Sequence, residues 1–273
     1  MNYTQDQTAS LHEQSFAYLK VSEEDHVLHI RLNRPAKKNA LNPVMVNELA
    51  YALNYAHYEK QVRAVVIGAE GDVFCAGADL KAFMGRREEN DSTIPGPQGE
   101  ILIGELFKGL HRPCIAQVEG DVFAGGFLIL AGCTHVVAAE GVRLGLPEVK
   151  RGLFPYQVMA GLAEIIPARK VLDWCMRGYD LPMEEAKAWG LVTHSTGEGE
   201  TGAVVEELLR DLRVASPSAV RMGLEAYDQM RRLPSEKQHA YLQGMLLKTI
   251  GTPDAREGIA AFKEKRQPVW TGE

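Results

Sequence analysis

Apolar residues follow two rhythms along this chain. In the first part, short runs of strand length alternate with helical stretches. Residues 16–21 and Val27–Leu32 predict the strands of a hairpin that turns around Glu23-Glu24-Asp25. Pro43–Tyr58 predicts a helix with Asn42 as N-cap and Pro43 at its first position. Ala64–Ala69 and Cys114–Val118 predict buried strands, 125–131 a helix and 135–138 a further strand, an alternation that predicts α/β layers. From Pro167 onward the pattern predicts helices only, over 168–177, 182–189, 200–214, 217–232, 236–250 and 253–265. Leu208, Leu209 and Leu212, and later Met222, Leu224 and Tyr227, recur there at roughly helical spacing. This tail carries no local catalytic pattern, and packing and oligomerisation are its expected roles. Residues 86–100 are polar and contain Pro95 and Pro97, which predicts an exposed loop or a poorly ordered insertion. A mobile cover on a site is the functional alternative for that loop.

Composition narrows the class. The 273 residues, 45% of them hydrophobic, suffice for one large α/β domain or two smaller ones. A formal charge of -6 argues against a chain-wide grip on nucleic acid, while a local basic patch for a phosphorylated ligand stays open. Cys75, Cys114, Cys133 and Cys175 lie far apart along the chain, without zinc-finger or redox spacing, and read as free thiols of a reducing compartment. The eight histidines are scattered, so no metal constellation is expected. Residues 1–14 are polar and unlike a signal peptide, and no apolar run reaches transmembrane length. A cytoplasmic protein without nucleic-acid or membrane partners is the expectation.

Two glycine-rich turns follow short apolar strands. The first is Phe74-Cys75-Ala76-Gly77-Ala78-Asp79-Leu80-Lys81, and the second Val118-Glu119-Gly120-Asp121-Val122-Phe123-Ala124-Gly125-Gly126. A carbonyl oxygen that becomes negative during a reaction needs donors in place beforehand. Two backbone N–H groups from two such turns supply them, and small residues permit close approach. The second turn leads into an apolar run that can start a helix, whose N-terminus favours a developing anion. Either turn alone is equally a structural turn.

At these residues the chain resembles the crotonase (enoyl-CoA hydratase/isomerase) superfamily. Four landmarks carry the resemblance in order: the Leu32-Asn33-Arg34-Pro35-Ala36-Lys37-Lys38-Asn39-Ala40-Leu41 motif, Cys75 to Lys81 in the first turn, Gly120 to Gly126 in the second turn, and Gly145-Leu146-Pro147-Glu148. A fifth, Glu257-Gly258 to Phe262-Lys263-Glu264-Lys265-Arg266, matches the family's C-terminal helix. The resemblance runs from Phe16 to about Val269. It implies an α/β spiral of ββα turns with a C-terminal all-α trimerisation region, divided as a disordered or extended segment 1–14, a spiral core 15–200 and a helical region 201–273. It further implies that Ala78 and Gly125 hold an acyl thioester oxygen through their amides. Lys37, Ala40, Ala76 and Leu80 match positions that bind the coenzyme A nucleotide and pantetheine. Phe262 and Lys265 match positions that reach a ligand's nucleotide, often from a neighbouring subunit. A homotrimer or dimer of trimers is implied, with an acyl-CoA substrate and no cofactor beyond its coenzyme A portion.

The acid–base groups discriminate further. Family hydratases usually carry two glutamates. The position of the first, three residues after Gly125, is Leu128, which takes no proton, whereas the second is present as Glu148. An apolar setting would raise the Glu148 pKa and suit it to proton transfer near neutrality. Pairing with Lys150 or Arg151 at the surface is its alternative. One glutamate suffices to move a proton from C2 to C4 of a 3-enoyl thioester, so double-bond isomerisation is the leading expectation. Hydration, thioester hydrolysis and decarboxylation are the enzymatic alternatives, and an acyl-CoA or RNA binder the non-enzymatic one. Glu119 and Asp121 flank the second turn and read as exposed turn residues, with a second carboxylate as the alternative. Phe123, Leu128, Phe154 and Tyr156, with Phe127 and Met159, are candidates for an apolar acyl pocket or for core.

Overall fold

The computed structural model describes residues 1–86 and 88–273, so Arg87 of the predicted 86–100 loop lies outside the described residues. Among the described residues, ten strands form two sheets. They are β1 (Leu19–Glu24), β2 (Val27–Leu32), β3 (Ala64–Ala69), β4 (Val73–Cys75), β5 (Cys114–Val118), β6 (Asp121–Phe123), β7 (His135–Ala139), β8 (Leu144–Gly145), β9 (Asp180–Leu181) and β10 (His194–Thr196). The larger sheet runs β1-β2-β3-β5-β7-β10 and the smaller β4-β6-β8-β9. The chain passes from the larger sheet to the smaller three times, at β3 to β4, β5 to β6 and β7 to β8, and each passage is followed by helical structure. This is the expected spiral of ββα turns.

Local chemistry accounts for the early elements. Asp25 and His26 both take left-handed φ, 47° and 66°, and close a two-residue hairpin that pairs Glu24 with Val27. The turn therefore lies later than Glu23-Glu24-Asp25, and β1 starts at Leu19 rather than Phe16. Helix α1 spans Gln5–Thr8 and α2 spans Pro43–Tyr58. The Asn42 side chain accepts from the Met45 amide, as an N-cap should. Helix α2 is buried from Met45 to Ala56 except for half-buried Asn47, because β1 and the N-terminal segment cover it. Its buried Glu48 accepts the amides of Ala17 (2.6 Å) and Tyr18 (2.9 Å), and Asn54 those of Asn2 and Tyr3.

Those contacts correct the reading of residues 1–14. The segment is ordered by side chains: Thr4 and Gln7 form a capping box on α1, and Tyr3 and Leu11 are buried against α2. The described part of the 86–100 loop is likewise tied down. The Tyr3 hydroxyl and the Asn47 amide donate to Pro95 O, the Thr93 amide to Ser15 O, and the Gln98 amide to Asn2 O.

The remaining helices are α3 (Leu80–Phe83), α4 (Ile103–Leu106), α5 (Phe127–Gly132), α6 (Tyr156–Leu162), α7 (Ala168–Arg177), α8 (Met183–Ala188), α9 (Thr201–Val214), α10 (Pro217–Met230), α11 (Ser235–Ile250) and α12 (Pro253–Glu264). The tail is not all-α, since β9 and β10 interrupt it to complete the two sheets. Nor does α9 belong with the helices after it. Val205 and Leu209 pack with Val27, Ala64, Val66, Ile115 and Val137 and seal the second face of the large sheet. Helices α10, α11 and α12 pack on one another. The sheet also joins residues that are distant in sequence: Cys114 Sγ and Cys133 Sγ lie 3.5 Å apart as free thiols. No helix among the described residues is long and apolar enough to cross a membrane.

Leu209→Ala is expected to cost about 2–5 kcal/mol in urea unfolding, as a large-to-small change in a core. The loss should be independent of protein concentration. A concentration-dependent loss would place α9 in an oligomer contact instead.

Candidate active site

The site lies where three neighbouring parallel strands end. Strands β4, β6 and β8 pair side by side, with Cys75 against Val122 and Phe123 against Gly145. Their carboxyl ends lead directly into Ala76-Gly77-Ala78, Ala124-Gly125-Gly126 and Leu146-Pro147-Glu148. Ligands of open α/β sheets bind at such strand ends.

The first two turns touch through backbone. Gly77 has φ +92°, and a Cβ there would fall 2.6 Å from Ala124 Cβ and 3.0 Å from Gly125 N. A Cβ on Gly125 would lie 3.4 Å from Ala78 N, so the backbones that carry the two amides are in close approach. Gly126 is equally constrained, with Cys75 Cβ, Cys75 O and Val122 Cγ1 each 3.0 Å from its missing Cβ. Ala124 holds φ 52°, uncommon for a residue with a side chain.

The neighbours of Ala78 are spoken for. The Ala76 amide donates to Lys38 O (3.0 Å) and the Asp79 amide to Leu41 O (2.8 Å), while the Ala78 amide donates to no acceptor among the described residues. Gly125 sits in the first turn of a 3₁₀ helix, Ala124–Gly126, where amides lack intrahelical acceptors. Two preset donors of this kind suit an oxyanion. The Leu32 to Leu41 motif runs alongside the first turn, bridging Leu41 to Ala78 and accepting the Ala76 amide at Lys38 O, so Lys37 and Ala40 are neighbours in sequence of residues that touch the turn. Lys37 and Leu80 are exposed there, and Ala40 and Ala76 are half-buried.

Glu148 stands on the short 3₁₀ helix Pro147–Arg151. It is half-buried, and its Oε2 is buried without a hydrogen-bond partner among the described residues. Burial pushes its carboxyl above the ordinary 4.5, against the opposing pull of its own backbone amide and of Arg151. Burial first and Glu148 second also push the Cys175 thiol on α7 up to about 11. The alternative surface pairing of Glu148 with Lys150 or Arg151 is absent among the described ion pairs.

The other acidic candidates are engaged elsewhere. Glu119 accepts from Thr201 Oγ1 at 2.7 Å on α9, and Asp121 accepts from the Arg143 backbone and guanidinium at 2.6–2.9 Å. Leu128 is 6% exposed and lines a cavity of about 650 Å³ with Gly104, Phe107, Ala131 and Gly161. Ala78, Gly125 and Glu148 do not line that cavity.

The predicted apolar pocket does not form as a unit. Strand alternation lays the Phe123 ring against Gly145, 5.2 Å beneath the Arg143 guanidinium, and Phe123 does not line the cavity that Leu128 lines. Phe127 is core, edge-on to Trp174 at 5.0 Å. Phe154 and Tyr156 contact each other at 5.1 Å, and Tyr156 is 72% exposed. Phe262, 86% exposed, and Lys265 lie at the far end of α12, whose main contacts are with α10 and α11. Nothing among the described contacts links them to the three turns. Sequence reasoning gave no role to Arg34, which is buried between Asp79 and Glu88. Its only signal was an arginine wedged between Asn33 and Pro35 in an otherwise tight turn.

Residues 22–273 match the family model described as enoyl-CoA hydratase/isomerase. The chain belongs to the enoyl-CoA hydratase/isomerase family. It is 33% identical over 251 residues to enoyl-CoA hydratase EchA19 of Mycobacterium tuberculosis, covering 91% of this chain and 94% of that one. It is also 33% identical over 260 residues to the carnitinyl-CoA dehydratase of Escherichia coli K12, covering 93% and 98%. Among solved structures, an enoyl-CoA hydratase of M. tuberculosis H37Rv superposes with a TM-score of 0.83 at 30% identity, covering 94% of this chain and all (100%) of that one. In this member of the enoyl-CoA hydratase/isomerase family, the meeting of the two turns leaves no room for a side chain at Gly77. Gly77→Ala is therefore expected to lower turnover of an enoyl-CoA by about 10²–10³, the usual cost of losing an oxyanion donor. Steady-state kinetics on the purified variant checks this.

Proposed function

We propose that the protein moves a double bond in an acyl-CoA thioester, converting a 3-enoyl-CoA to its 2-enoyl isomer. The carboxylate of Glu148 takes a proton from C2. The electrons move onto the thioester oxygen, giving a dienolate whose negative oxygen accepts from the amides of Ala78 and Gly125. Protonated Glu148 then returns the proton to C4 and the carbonyl re-forms. Mass is unchanged and the base is regenerated, so one carboxylate is enough.

The observation that carries this reading is the solitude of Glu148. Its buried Oε2 has no described partner, Leu128 occupies the position of a second acid, and Glu119 and Asp121 are held by Thr201 and Arg143. Hydration, which adds water across the double bond, is the second reading. It is favoured by the names of the relatives, a hydratase and a dehydratase. Lys37, Ala40, Ala76 and Leu80 are assigned to the coenzyme A portion of the substrate, and no other cofactor is invoked. The coenzyme A nucleotide would reach Phe262 and Lys265 only from a neighbouring subunit. Exposed Leu246, Leu247 and Ile250 on α11, with Ile259 and Phe262 on α12, suit the contacts of a homotrimer or dimer of trimers. The expected setting is the cytoplasm.

The test is a 2-enoyl-CoA and a 3-enoyl-CoA offered separately, with products weighed by mass spectrometry. Conversion of the 3-enoyl form without mass change is expected. Gain of one water from the 2-enoyl form would move the assignment to hydration.

Glu148→Gln is expected to lower kcat by about 10²–10⁴, the usual contribution of a general base. Its stability should stay equal or rise. A carboxyl raised above its unfolded value adds stability below the unfolded pKa and loses it as pH climbs through the folded pKa. At neutral pH the wild type therefore carries the cost of a charged Glu148, which Gln removes. For the same reason, wild-type kcat should fall as pH drops through a value above the ordinary 4.5 for a glutamate. A pH–rate profile and thermal melts of both forms check this.

A further inference from the structure

One buried cation outside the reacting groups grips both strands of backbone that set the Ala78 amide. The Arg34 side chain is 4% exposed. Its Nη1 donates to Asp79 Oδ2 at 2.9 Å and to Ala40 O at 3.0 Å, and its Nη2 donates to Glu88. The guanidinium lies 5.2 Å from the centre of the Tyr18 ring, and the Tyr18 hydroxyl also donates to Glu88. The Arg34 amide is held in turn by Asn39 Oδ1 at 2.8 Å.

The link to the site runs through planar peptides. The Leu41 amide donates to Gly77 O at 2.8 Å, and in a trans peptide this turns the Ala78 N–H to the opposite side, away from Leu41. The Asp79 amide donates to Leu41 O at 2.8 Å, so the bridge holds Ala78 from both sides. Arg34 fixes each half of that bridge, the Leu41 side through Ala40 O and the Ala78 side through the Asp79 carboxylate. The other Asp79 oxygen caps α3 through the Ala82 amide at 3.2 Å. Burial alone would raise the Asp79 carboxyl, but the Arg34 guanidinium and the Ala82 amide outweigh it and hold it below its ordinary value. Asp79 is thus charged at neutral pH.

We infer that Arg34 is a positioning residue for the oxyanion site, aiming the Ala78 amide through Ala40 and Asp79. It touches no reacting atom, and the inference rests on the assignment of Ala78 under the proposed function. A planar fork is required, because one lysine ammonium presents a point charge and cannot span Ala40 O, Asp79 and Glu88 in the same geometry. Glu88 belongs to the outer arm, which anchors the segment after α3 and does not bear on Ala78.

The experiment uses the full chain with Arg34→Lys, Asp79→Asn and Glu88→Gln. Asp79→Asn is isosteric and keeps the cap on α3, which guards against failure of the Arg34 variant to fold. The readouts are kcat and KM on a 3-enoyl-CoA, the melting temperature, and the infrared carbonyl stretch of bound hexanoyl-CoA. A saturated thioester does not isomerise, so its stretch reports the pull of the two amides alone. Wild type should shift that stretch to lower frequency. Arg34→Lys and Asp79→Asn should lose most of the shift and about tenfold or more in kcat, with KM changed by less than about threefold, as expected of a misplaced donor. Glu88→Gln should keep the shift and stay within about twofold in kcat. An unchanged stretch in folded Arg34→Lys and Asp79→Asn would overturn the inference, whatever their melting temperatures, and leave Arg34 a purely structural residue. Bound hexanoyl-CoA with no shift in wild type would instead remove the oxyanion assignment, and this inference with it.

Discussion

The site depends on one close approach between two stretches of backbone. Where β4 and β6 end, Gly77 and Ala124-Gly125 meet at distances that admit no further carbon atom. The approach needs left-handed backbone at Gly77 and also at Ala124, where a side chain makes that conformation costly. Parallel pairing supplies the restraint. Two adjacent strands that enter from the same direction must release their chains at the same edge, and the spiral repeats this for β8, which delivers Glu148. The segments that carry the two turns and Glu148 thus leave neighbouring strands at one edge of the sheet.

Electrostatics decide what that assembly is suited to. A carboxylate withdrawn from water without a partner is destabilising and is drawn towards its neutral form. Glu148 is in that state, whereas Glu119 and Asp121 each have a fixed partner on a neighbouring element. Leu128, the second residue of α5, is buried and offers no carboxyl group. A carboxyl group without a partner fits the proposed reaction, in which one proton leaves and returns. The charged residues around it are spent on architecture, with Arg34 joining three segments behind the first turn.

Local signals were legible in the chain wherever a short-range interaction decides the structure. Asn42 before Pro43 placed α2 to the residue, and the apolar runs placed β2, β3 and β5 likewise, because capping and burial act within a few positions. The hairpin turn was missed by two residues, since the left-handed pair Asp25-His26 lacks the usual glycine. Residues 1–14 read as loose because their order comes from Asn54, Tyr51 and Pro95, contributed by distant segments. The 200–214 helix read like those after it, although α9 faces the sheet and α10, α11 and α12 face one another. Its stripe of leucines is the same in either setting.

By itself the sequence determined the identity and order of the two turns, the absence of an acid at Leu128 and the presence of Glu148, since these are facts of covalent order and side-chain chemistry. Only the tertiary structure decided that Gly77 and Gly125 touch, that Phe123 packs on Gly145 beneath Arg143, that Glu119 and Asp121 are occupied, and that Cys114 meets Cys133. Each of those outcomes depends on sheet register and strand alternation between segments tens of residues apart. A shift of one position would reverse the face that each side chain presents. The pairing that sets the register is a property of the packed sheets, which no single segment encodes.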